Sequence, residues 1–197
     1  MELSHTEFLA MNSGLRAFLH RHLEFPLFRR LGLRQATGRD VVEIGCGNGL
    51  GAELISGLAP RSYVGLDVMP EQIALATQRN VPHARFMVGD ATNISSLSDA
   101  TADMVVVFGI LHHIDGWPRA IAEIRRLLRP GGLLLVEEPD GGLLRLWDRF
   151  FQWGHPHNAF SLRALERELQ TDGLILERRL KIPGVFGMYR ARLGYGA

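Results

Sequence analysis

The stretch that most constrains how this chain can fold is a strand, a glycine-rich turn and a helix at residues 40–53. Val41, Val42 and Ile44 predict a short strand, which must end at four glycines spaced two residues apart and beginning at Gly45. Beyond them, the apolar residues that recur at helical spacing are Leu50, Leu54, Ile55 and Leu58. Because glycine lacks a Cβ and tolerates a positive φ, the turn can bend sharply and a ligand can lie directly on its backbone. The N–H groups that open the helix carry partial positive charge, so this site suits a carboxylate or a phosphate.

The glycines alone leave the ligand open. Residues 47–52, Gly-Asn-Gly-Leu-Gly-Ala, also fit the G-x-G-x-x-A fingerprint of dinucleotide-binding proteins, and Asp67 follows about where the ribose-binding acid of that fingerprint is expected. Glu43, two residues before the first glycine, favours a different ligand. A carboxylate at the end of the strand would repel a pyrophosphate and attract an ammonium group. The loop is therefore typical of a site for a zwitterionic or cationic ligand.

Size and composition bound the class of protein. With 197 residues and 22.0 kDa, the chain is long enough for one well-buried α/β domain. The formal net charge of +1 gives no reason to expect nucleic acid as an obligatory partner. The single cysteine, Cys46, excludes an internal disulfide and fits a reducing, cytoplasmic setting. We expect neither a signal peptide at the start of the sequence nor a membrane span, because no apolar run reaches about 18 residues.

The rest of the chain alternates strands with helices. After the first strand, further strands are predicted at residues 62–67, 84–88, 104–108 and 133–136. Nearly continuous apolar strands of this kind are covered on both faces, which predicts a doubly wound parallel sheet. Right-handed crossovers would place the carboxyl ends of the five strands along one edge. Asp67, Asp90 and the Gly-Ile-Leu-His-His segment at residues 109–113 are predicted at that edge together with the glycine loop.

The C-terminal part follows a different pattern. Ser161 is predicted to cap a helix that reaches Thr171. Residues 174–182 and 185–193 are strand-like runs separated by Pro183-Gly184, and so short a link implies an antiparallel pair. The pair would complete a seven-stranded sheet and would distinguish it from the all-parallel dinucleotide-binding sheet.

The N-terminal residues 4–35 carry an apolar stripe. Its members are Leu15, Phe18, Leu19, Leu23, Leu27, Phe28 and Leu31, while Arg16, His20, Arg21, Arg29 and Arg30 are expected to face elsewhere. Pro26 predicts a break between two helices, because proline costs about 3 kcal/mol inside a helix. The stripe is interpreted either as a helix packed on the edge of the sheet or as a cap over a substrate pocket.

Taken together, these motifs resemble those of the class I S-adenosylmethionine-dependent methyltransferases of the small-molecule type, close in pattern to the C-methyltransferases of ubiquinone and menaquinone biosynthesis. The resemblance covers roughly residues 39–182. It implies a Rossmann-like methyltransferase fold, with a mostly parallel seven-stranded sheet and a C-terminal antiparallel hairpin. It also implies S-adenosylmethionine as the cofactor and transfer of its methyl group to a small, apolar acceptor.

The resemblance also implies roles for individual residues. Glu43 would meet the methionine amino group, Asp67 would accept from both ribose hydroxyls, and Asp90 would accept from the adenine amino group. The complete set of cofactor-binding residues is Glu43, Gly45, Cys46, Gly47, Gly49, Asp67, Val68, Met69, Gly89, Asp90, Ala91, Phe108 and Gly109. Since the cofactor has a diol, an amino-purine and an ammonium group, hydrogen-bond acceptors should dominate its site, and three strand-end carboxylates meet that requirement.

Histidines supply the catalytic candidates. His112 and His113 follow the fourth strand, and His155 and His157 belong to an aromatic-rich stretch at residues 147–160 that is predicted to cover the acceptor. No spacing typical of a zinc site is present, so no metal is predicted. Residues 143–151 mix aromatic residues with arginine, which predicts a helix against the pocket, with contact to a membrane surface as the less favoured alternative.

We therefore predict a single domain over residues 1–197. Its parts would be an N-terminal cap at 1–37, a cofactor-binding core at 38–140, a substrate lid at 141–160, and a closing helix with antiparallel strands at 161–197. Two other functions remain open from the sequence, a nicotinamide-dependent oxidoreductase and a cofactor-binding module without catalysis. The sequence leaves undetermined which acceptor atom is methylated, whether a general base is used, and the oligomeric state.

Overall fold

The computed structural model of the chain describes residues 12–142, Leu144 and residues 160–195. The strands are β1 (Asp40–Ile44), β2 (Ser62–Asp67), β3 (Ala84–Val88), β4 (Ala102–Phe108), β5 (Leu128–Pro139), β6 (Leu174–Ile182) and β7 (Phe186–Leu193). The α-helices are α1 (Gly14–Leu19), α2 (Phe25–Leu31), α3 (Leu50–Ser56), α4 (Pro70–Gln78), α5 (Trp117–Leu127) and α6 (Leu162–Thr171). Shorter helical turns are a π-helix at His20–Glu24 and 3₁₀ turns at Leu33–Ala36 and Leu111–His113.

The strands form one seven-stranded sheet within the described residues, in the order β3-β2-β1-β4-β5-β7-β6. The pairings among β1 to β5 are all parallel, and β7 pairs antiparallel with both β5 and β6. The predicted fold class and the predicted antiparallel hairpin are therefore confirmed. Because β1, β2 and β4 are adjacent and parallel, their carboxyl ends lie together at one edge of the sheet.

Both faces of the sheet are covered, as the apolar strands predict. In β4, Val105 and Val107 belong to the core under α5 and α6, whereas Met104 and Val106 belong to the core under α2 and α3. The α6 helix begins as predicted, since the Ser161 side chain accepts from the backbone N–H of Ala164. The strand edge that bears the site is thus held between two packed helical layers.

The segment before the buried part of β5 differs from the prediction. Residues 129–132, which precede the strand predicted at 133–136, are included in β5 itself. The register shows how they are accommodated, because Ala102 pairs with Leu128 but Met104 pairs with Leu133. The extra residues shift the register between these two pairs, and the strand continues across them.

The N-terminal helix, by which we mean residues 14–31, corrects two predictions. It does not break at Pro26, because α1, the π-helical turn and α2 follow one another without a gap and Phe25 keeps right-handed helical dihedrals. The wider π-helical turn comes immediately before the proline, where an ordinary α-helical turn would lose a hydrogen bond. The helix therefore changes type at this point and continues.

The second correction concerns the apolar stripe. After the π-helical turn, Phe28 and Leu31 are buried as expected, but before it Leu15 and Phe18 are 69% and 59% exposed. An extra residue in the turn rotates the two halves of the helix relative to each other, so a single stripe cannot face the core along the whole length. The first half instead turns Arg16 and other polar side chains inward.

Candidate functional site

A cavity of about 300 Å³ opens at the carboxyl edge of the sheet. Twelve of the residues predicted from the sequence line it: Glu43, Gly45, Cys46, Gly47, Asp67, Val68, Met69, Gly89, Asp90, Ala91, Phe108 and His113. Three predicted residues, Gly49, Gly109 and His112, do not line it. The cavity is also lined by residues of the N-terminal helix.

The glycine loop gives the cavity an open backbone wall. Gly47 has a φ of +50°, and a Cβ built on it would meet no atom within 4 Å. Gly49 has a packing role instead, since its Cβ would lie 2.9 Å from Ala76 of α4. Cys46 is buried, and burial raises the pKa of its thiol, so the cysteine is not prepared to act as a nucleophile.

Asp67 is held at the end of β2 by backbone donors. Its Oδ2 accepts from the N–H of Gly47 at 2.9 Å, and its Oδ1 accepts from the N–H of Met69 at 3.0 Å. Burial raises the pKa of Asp67, and the hydrogen bonds from Met69, Gly47 and Val68 oppose that rise. The carboxylate is therefore fixed by the fold at the rim of the glycine loop.

Asp90 is arranged in the same way after β3. Its Oδ1 accepts from both the backbone N–H and the hydroxyl of Thr92, each at 2.8 Å. These hydrogen bonds lower the pKa of Asp90 despite some burial. Asp90 is therefore ionised at neutral pH and lies within the cavity wall beside Gly89 and Ala91.

Glu43 has a different environment from these two aspartates. It is 2% exposed, and the hydroxyl of Tyr63 donates to its Oε2 at 2.6 Å. Burial raises the pKa of Glu43 to about 8, with a further contribution from the charge of Asp67 and against the hydrogen bond from Tyr63. Without a cationic ligand, most Glu43 side chains therefore carry a proton at neutral pH.

These groups fit the cofactor implied by the resemblance. Carboxylates from Glu43, Asp67 and Asp90 meet in one cavity, as a ligand with an ammonium group, a diol and an amino-purine requires. Gln72 also lines the cavity, and its buried Oε1 has no hydrogen-bond partner among the described residues. An unsatisfied buried acceptor and an open glycine backbone are both features that a bound ligand would complete.

The turn after β4 is organised by Glu138 of β5, which sequence reasoning did not assign to the site. Its Oε1 accepts from the backbone N–H of Leu111 at 2.7 Å, and its Oε2 accepts from that of His112 at 3.3 Å and lies 2.8 Å from His112 Nδ1. His112 thus belongs to the scaffold of the turn. His113, whose ring centroid lies 4.0 Å from that of His112, is the one that reaches the cavity.

Several predictions fall outside the described residues. They concern His155, His157, most of the predicted lid at 141–160, and the predicted helix at 143–151 except for Leu144. Among residues 12–142 and 160–195, no group of three or more His, Cys, Asp or Glu side chains is arranged to hold a metal ion. Within the same ranges, no helix has both the length and the apolarity needed to cross a membrane.

Sequence reasoning missed a charged cluster on the N-terminal helix. Arg16 and His20 line the cavity, and both bind Glu24. Close by on β5, burial together with the charge of Glu24 raises the pKa of Glu137 well above its usual range. The spacing of Arg16, His20 and Glu24, four residues apart, is the signal that could have identified the cluster.

Comparison with known proteins agrees with this geometry. The family described as a methyltransferase domain matches residues 42–136, which contain the glycine loop and the ends of β1 to β4. A solved S-adenosylmethionine-dependent methyltransferase from Aquifex aeolicus superposes with a TM-score of 0.78 at 15% identity, covering 98% of this chain and 100% of that one. At that identity the likeness concerns the fold alone.

Two curated relatives are similar in sequence. A protein named phthiotriol/phenolphthiotriol dimycocerosates methyltransferase 1, from Mycobacterium ulcerans, is 32% identical over 74% of this chain and 57% of its own length. A probable S-adenosylmethionine-dependent methyltransferase from Mycolicibacterium smegmatis is 39% identical over 58% of this chain and 43% of its own length. The chain thus spans about half the length of these relatives.

Proposed function

Because this chain belongs to the class I S-adenosylmethionine-dependent methyltransferases, we propose that it transfers a methyl group from that cofactor to a small, apolar acceptor. The observation that carries the proposal is the meeting of three strand-end carboxylates with an open glycine loop in one cavity. When bound, S-adenosylmethionine supplies an electrophilic methyl group on a sulfonium centre. The chain has to bind it, orient it and bring the acceptor into line.

The carboxylates divide the binding between them. Asp67 accepts from the ribose hydroxyls while its backbone bonds to Gly47 and Met69 fix its position. Asp90 accepts from the adenine amino group beside Ala91. Glu43 and the backbone at Phe108 receive the ammonium group, and a positive charge there favours the ionised form of Glu43.

An apolar acceptor is supported by the remaining walls of the cavity. Ala17, Ile110 and Ile114 add apolar surface to the cavity that His113 also lines. The Mycobacterium ulcerans relative is named for phthiotriol and phenolphthiotriol dimycocerosates, which supports an apolar acceptor. We further propose that residues 1–37 act as a cap, and that residues 141–160, with His155 and His157, act as a lid over the acceptor.

Two measurements test the function. Calorimetric titration should show binding of S-adenosylmethionine and of S-adenosylhomocysteine but not of NADH or NADPH, since Glu43 offers an acceptor for an ammonium group and no positive charge for a pyrophosphate. Binding of a nicotinamide cofactor in preference to S-adenosylmethionine would contradict the proposal.

A screen of candidate acceptors with radiolabelled S-adenosylmethionine should then give label in an apolar product. The matched control is Gly47→Val, which should give no label because it does not bind the cofactor. If the wild-type protein binds the cofactor but labels no acceptor in a broad screen, a cofactor-binding module without catalysis becomes the better description.

A further inference from the structure

The N-terminal helix brings a histidine–carboxylate pair into the cavity. His20 is 5% exposed, and it lines the cavity. Its Nδ1 lies 2.7 Å from Oε2 of Glu24, and Nη1 of Arg16 donates to both oxygens of the same carboxylate at 2.7 Å. Three side chains at four-residue intervals thus form one connected group.

The charge state of Glu24 determines which nitrogen of His20 carries the proton. Burial would raise the pKa of Glu24, but the hydrogen bond to His20 and the charge and hydrogen bond of Arg16 outweigh it and lower that pKa. An ionised carboxylate can only accept, so Nδ1 of His20 must donate to it. The neutral ring then has its lone pair on Nε2, and no described residue forms a hydrogen bond with that nitrogen.

The ring is also held from a second side. It packs edge-on against Phe108 at the end of β4, with ring centroids 4.5 Å apart and an interplanar angle of 81°. Phe108 lines the cavity as well, and its backbone is part of the cofactor-binding set. The π-helical turn begins at His20 and ends at Glu24, and such turns are frequent at functional sites. The histidine is therefore fixed beside the place where the cofactor is expected.

We propose that His20 is the general base of methyl transfer to a hydroxyl acceptor and that Glu24 is its positioning residue; this rests on the function proposed above. Nε2 of His20 takes the hydroxyl proton as an oxygen lone pair forms the bond to the methyl carbon. The carbon–sulfur bond breaks, and its electron pair stays on sulfur. The imidazolium then releases its proton to solvent, so that charge and atoms balance. His112 is unsuited to this role because it belongs to the Glu138 scaffold and does not line the cavity.

The first test needs no acceptor. Nitrogen-15 NMR of histidine-labelled protein, saturated with S-adenosylhomocysteine, should show His20 as the tautomer protonated at Nδ1 and unprotonated at Nε2 near neutral pH. In Glu24→Gln that preference should weaken, since the ionised partner is gone. A neutral His20 ring protonated at Nε2 would overturn the proposal, because the nitrogen proposed as the base would already carry a proton.

The second test uses the acceptor found with the radiolabel. His20→Ala should lower kcat by about 100-fold or more, within the usual range for a general base, while the affinity for S-adenosylhomocysteine stays within threefold of wild type. Glu24→Gln should lower kcat by about tenfold. His22→Ala is the matched control, because His22 is an exposed histidine on the same helix, and it should retain wild-type kcat.

The pH profile separates a base from a merely structural residue. With S-adenosylmethionine saturating, so that Glu43 is already ionised, kcat/KM for the acceptor should rise with pH in the wild type, and His20→Ala should lose that limb. The titratable or charged groups around the ring are Arg16 and Glu24 on its own helix, Glu137 from β5, and Glu43, which lines the same cavity from β1. A retained limb in His20→Ala, or an acceptor methylated at carbon or at an amine nitrogen, would overturn the assignment. Failure of the wild type to label any acceptor would count against the proposed function, and the NMR result would still decide whether His20 is prepared as a base.

Discussion

The carboxylates on the two sides of the cavity accept hydrogen bonds from different kinds of donor. On the side of the glycine loop, Asp67 and Asp90 accept mainly from backbone N–H groups that lie within a few residues or on the adjacent loop. On the side of the N-terminal helix, Glu24 is satisfied by the side chains of Arg16 and His20. Backbone donors are fixed once the sheet forms, whereas side-chain donors have to be ordered for the purpose.

This difference assigns different tasks to the two sides. The loop side is formed by the fold itself and suits a cofactor that is the same for the whole family. The helix side depends on the docking of residues 14–31 and suits the part of the reaction that varies, which is recognition and deprotonation of the acceptor. The predictions below test whether the two sides are in fact separable.

The largest effect is expected from Gly47→Val. A branched side chain would enter the open space beside the glycine loop and would also strain a backbone with a φ of +50°. We expect S-adenosylhomocysteine binding to become undetectable by calorimetry, and the ligand-induced rise in Tm to disappear with it.

The control for this prediction is Gly184→Val. Gly184 has a φ of +73° and equally open surroundings, but it lies in the turn between β6 and β7. It should carry a similar backbone strain, of roughly 1–2 kcal/mol, and keep full cofactor binding. If both variants lost binding to the same extent, strain rather than contact would explain the result for Gly47.

A smaller effect is expected from Asp67→Ala. The variant loses charge-assisted hydrogen bonds to the ribose, each worth about 1.5–3 kcal/mol, so the affinity for S-adenosylhomocysteine should fall by at least tenfold while the fold persists. Asp99→Ala is the control, because Asp99 is an exposed aspartate paired with Arg126 away from the cavity. Unchanged binding in Asp67→Ala, measured by calorimetry, would remove Asp67 from the cofactor site.

The contrast between the two sides also explains what the sequence could predict. The β1 to β4 strands are nearly continuous apolar runs, so their positions follow from hydrophobicity alone, and parallel pairing then brings every strand end to one edge. Asp67 is the last residue of β2 and Asp90 follows β3 after Gly89, so both lie at strand ends and could be assigned to the cavity without coordinates. Glu43 could be assigned for the same reason.

The helix side was beyond this kind of inference. Its residues face the cavity only because the π-helical turn at His20–Glu24 changes the phase of the helix, and a regular 3.6-residue period places Arg16 and His20 on the outer face. The β5 carboxylates also escaped assignment, since Glu138 acts through the turn at Leu111 and His112, which is distant in the chain. The four-residue spacing of Arg16, His20 and Glu24 indicates that they can bind one another, but the helix face that meets the cavity is set by tertiary structure, as are the partners of Glu138.

Glu43 provides a pH-dependent test of the loop side. Its pKa is raised by burial from 4.5 to about 8, so between these values the folded apo protein holds a proton that the unfolded chain has released. The stabilisation that comes with the proton is complete below pH 4.5 and is lost as the pH rises towards 8. Glu43→Gln should abolish this loss, which amounts to at most about 1.4 kcal/mol per pH unit.

The measurement is the free energy of unfolding of the apo protein by denaturant at several pH values, for wild type and Glu43→Gln. Asp67, whose pKa is also raised by burial, contributes to both proteins, so the difference between them isolates Glu43. Parallel pH profiles would show that Glu43 is ionised throughout. Calorimetry in buffers of different ionisation enthalpy should also show proton release when S-adenosylhomocysteine binds, because its ammonium group favours the ionised carboxylate.

The smallest effect is expected where the N-terminal helix meets α3 at the surface. Arg21 Nη2 lies 2.8 Å from Glu53 Oε1, and the two side chains are 46% and 41% exposed. Exposed ion pairs contribute about 0–1 kcal/mol, and Glu53 keeps a second partner in Arg79 at 2.6 Å. Arg21→Ala should therefore lower the free energy of unfolding by less than about 1 kcal/mol, and the loss should shrink in 1 M salt because the charges are screened.

Arg29→Ala, which removes an exposed arginine of the same helix that forms no ion pair with a described residue, serves as the control. If the two sides are separable, Arg21→Ala should leave S-adenosylhomocysteine affinity within twofold of wild type, and a larger loss would show that docking of the helix also shapes the cofactor side.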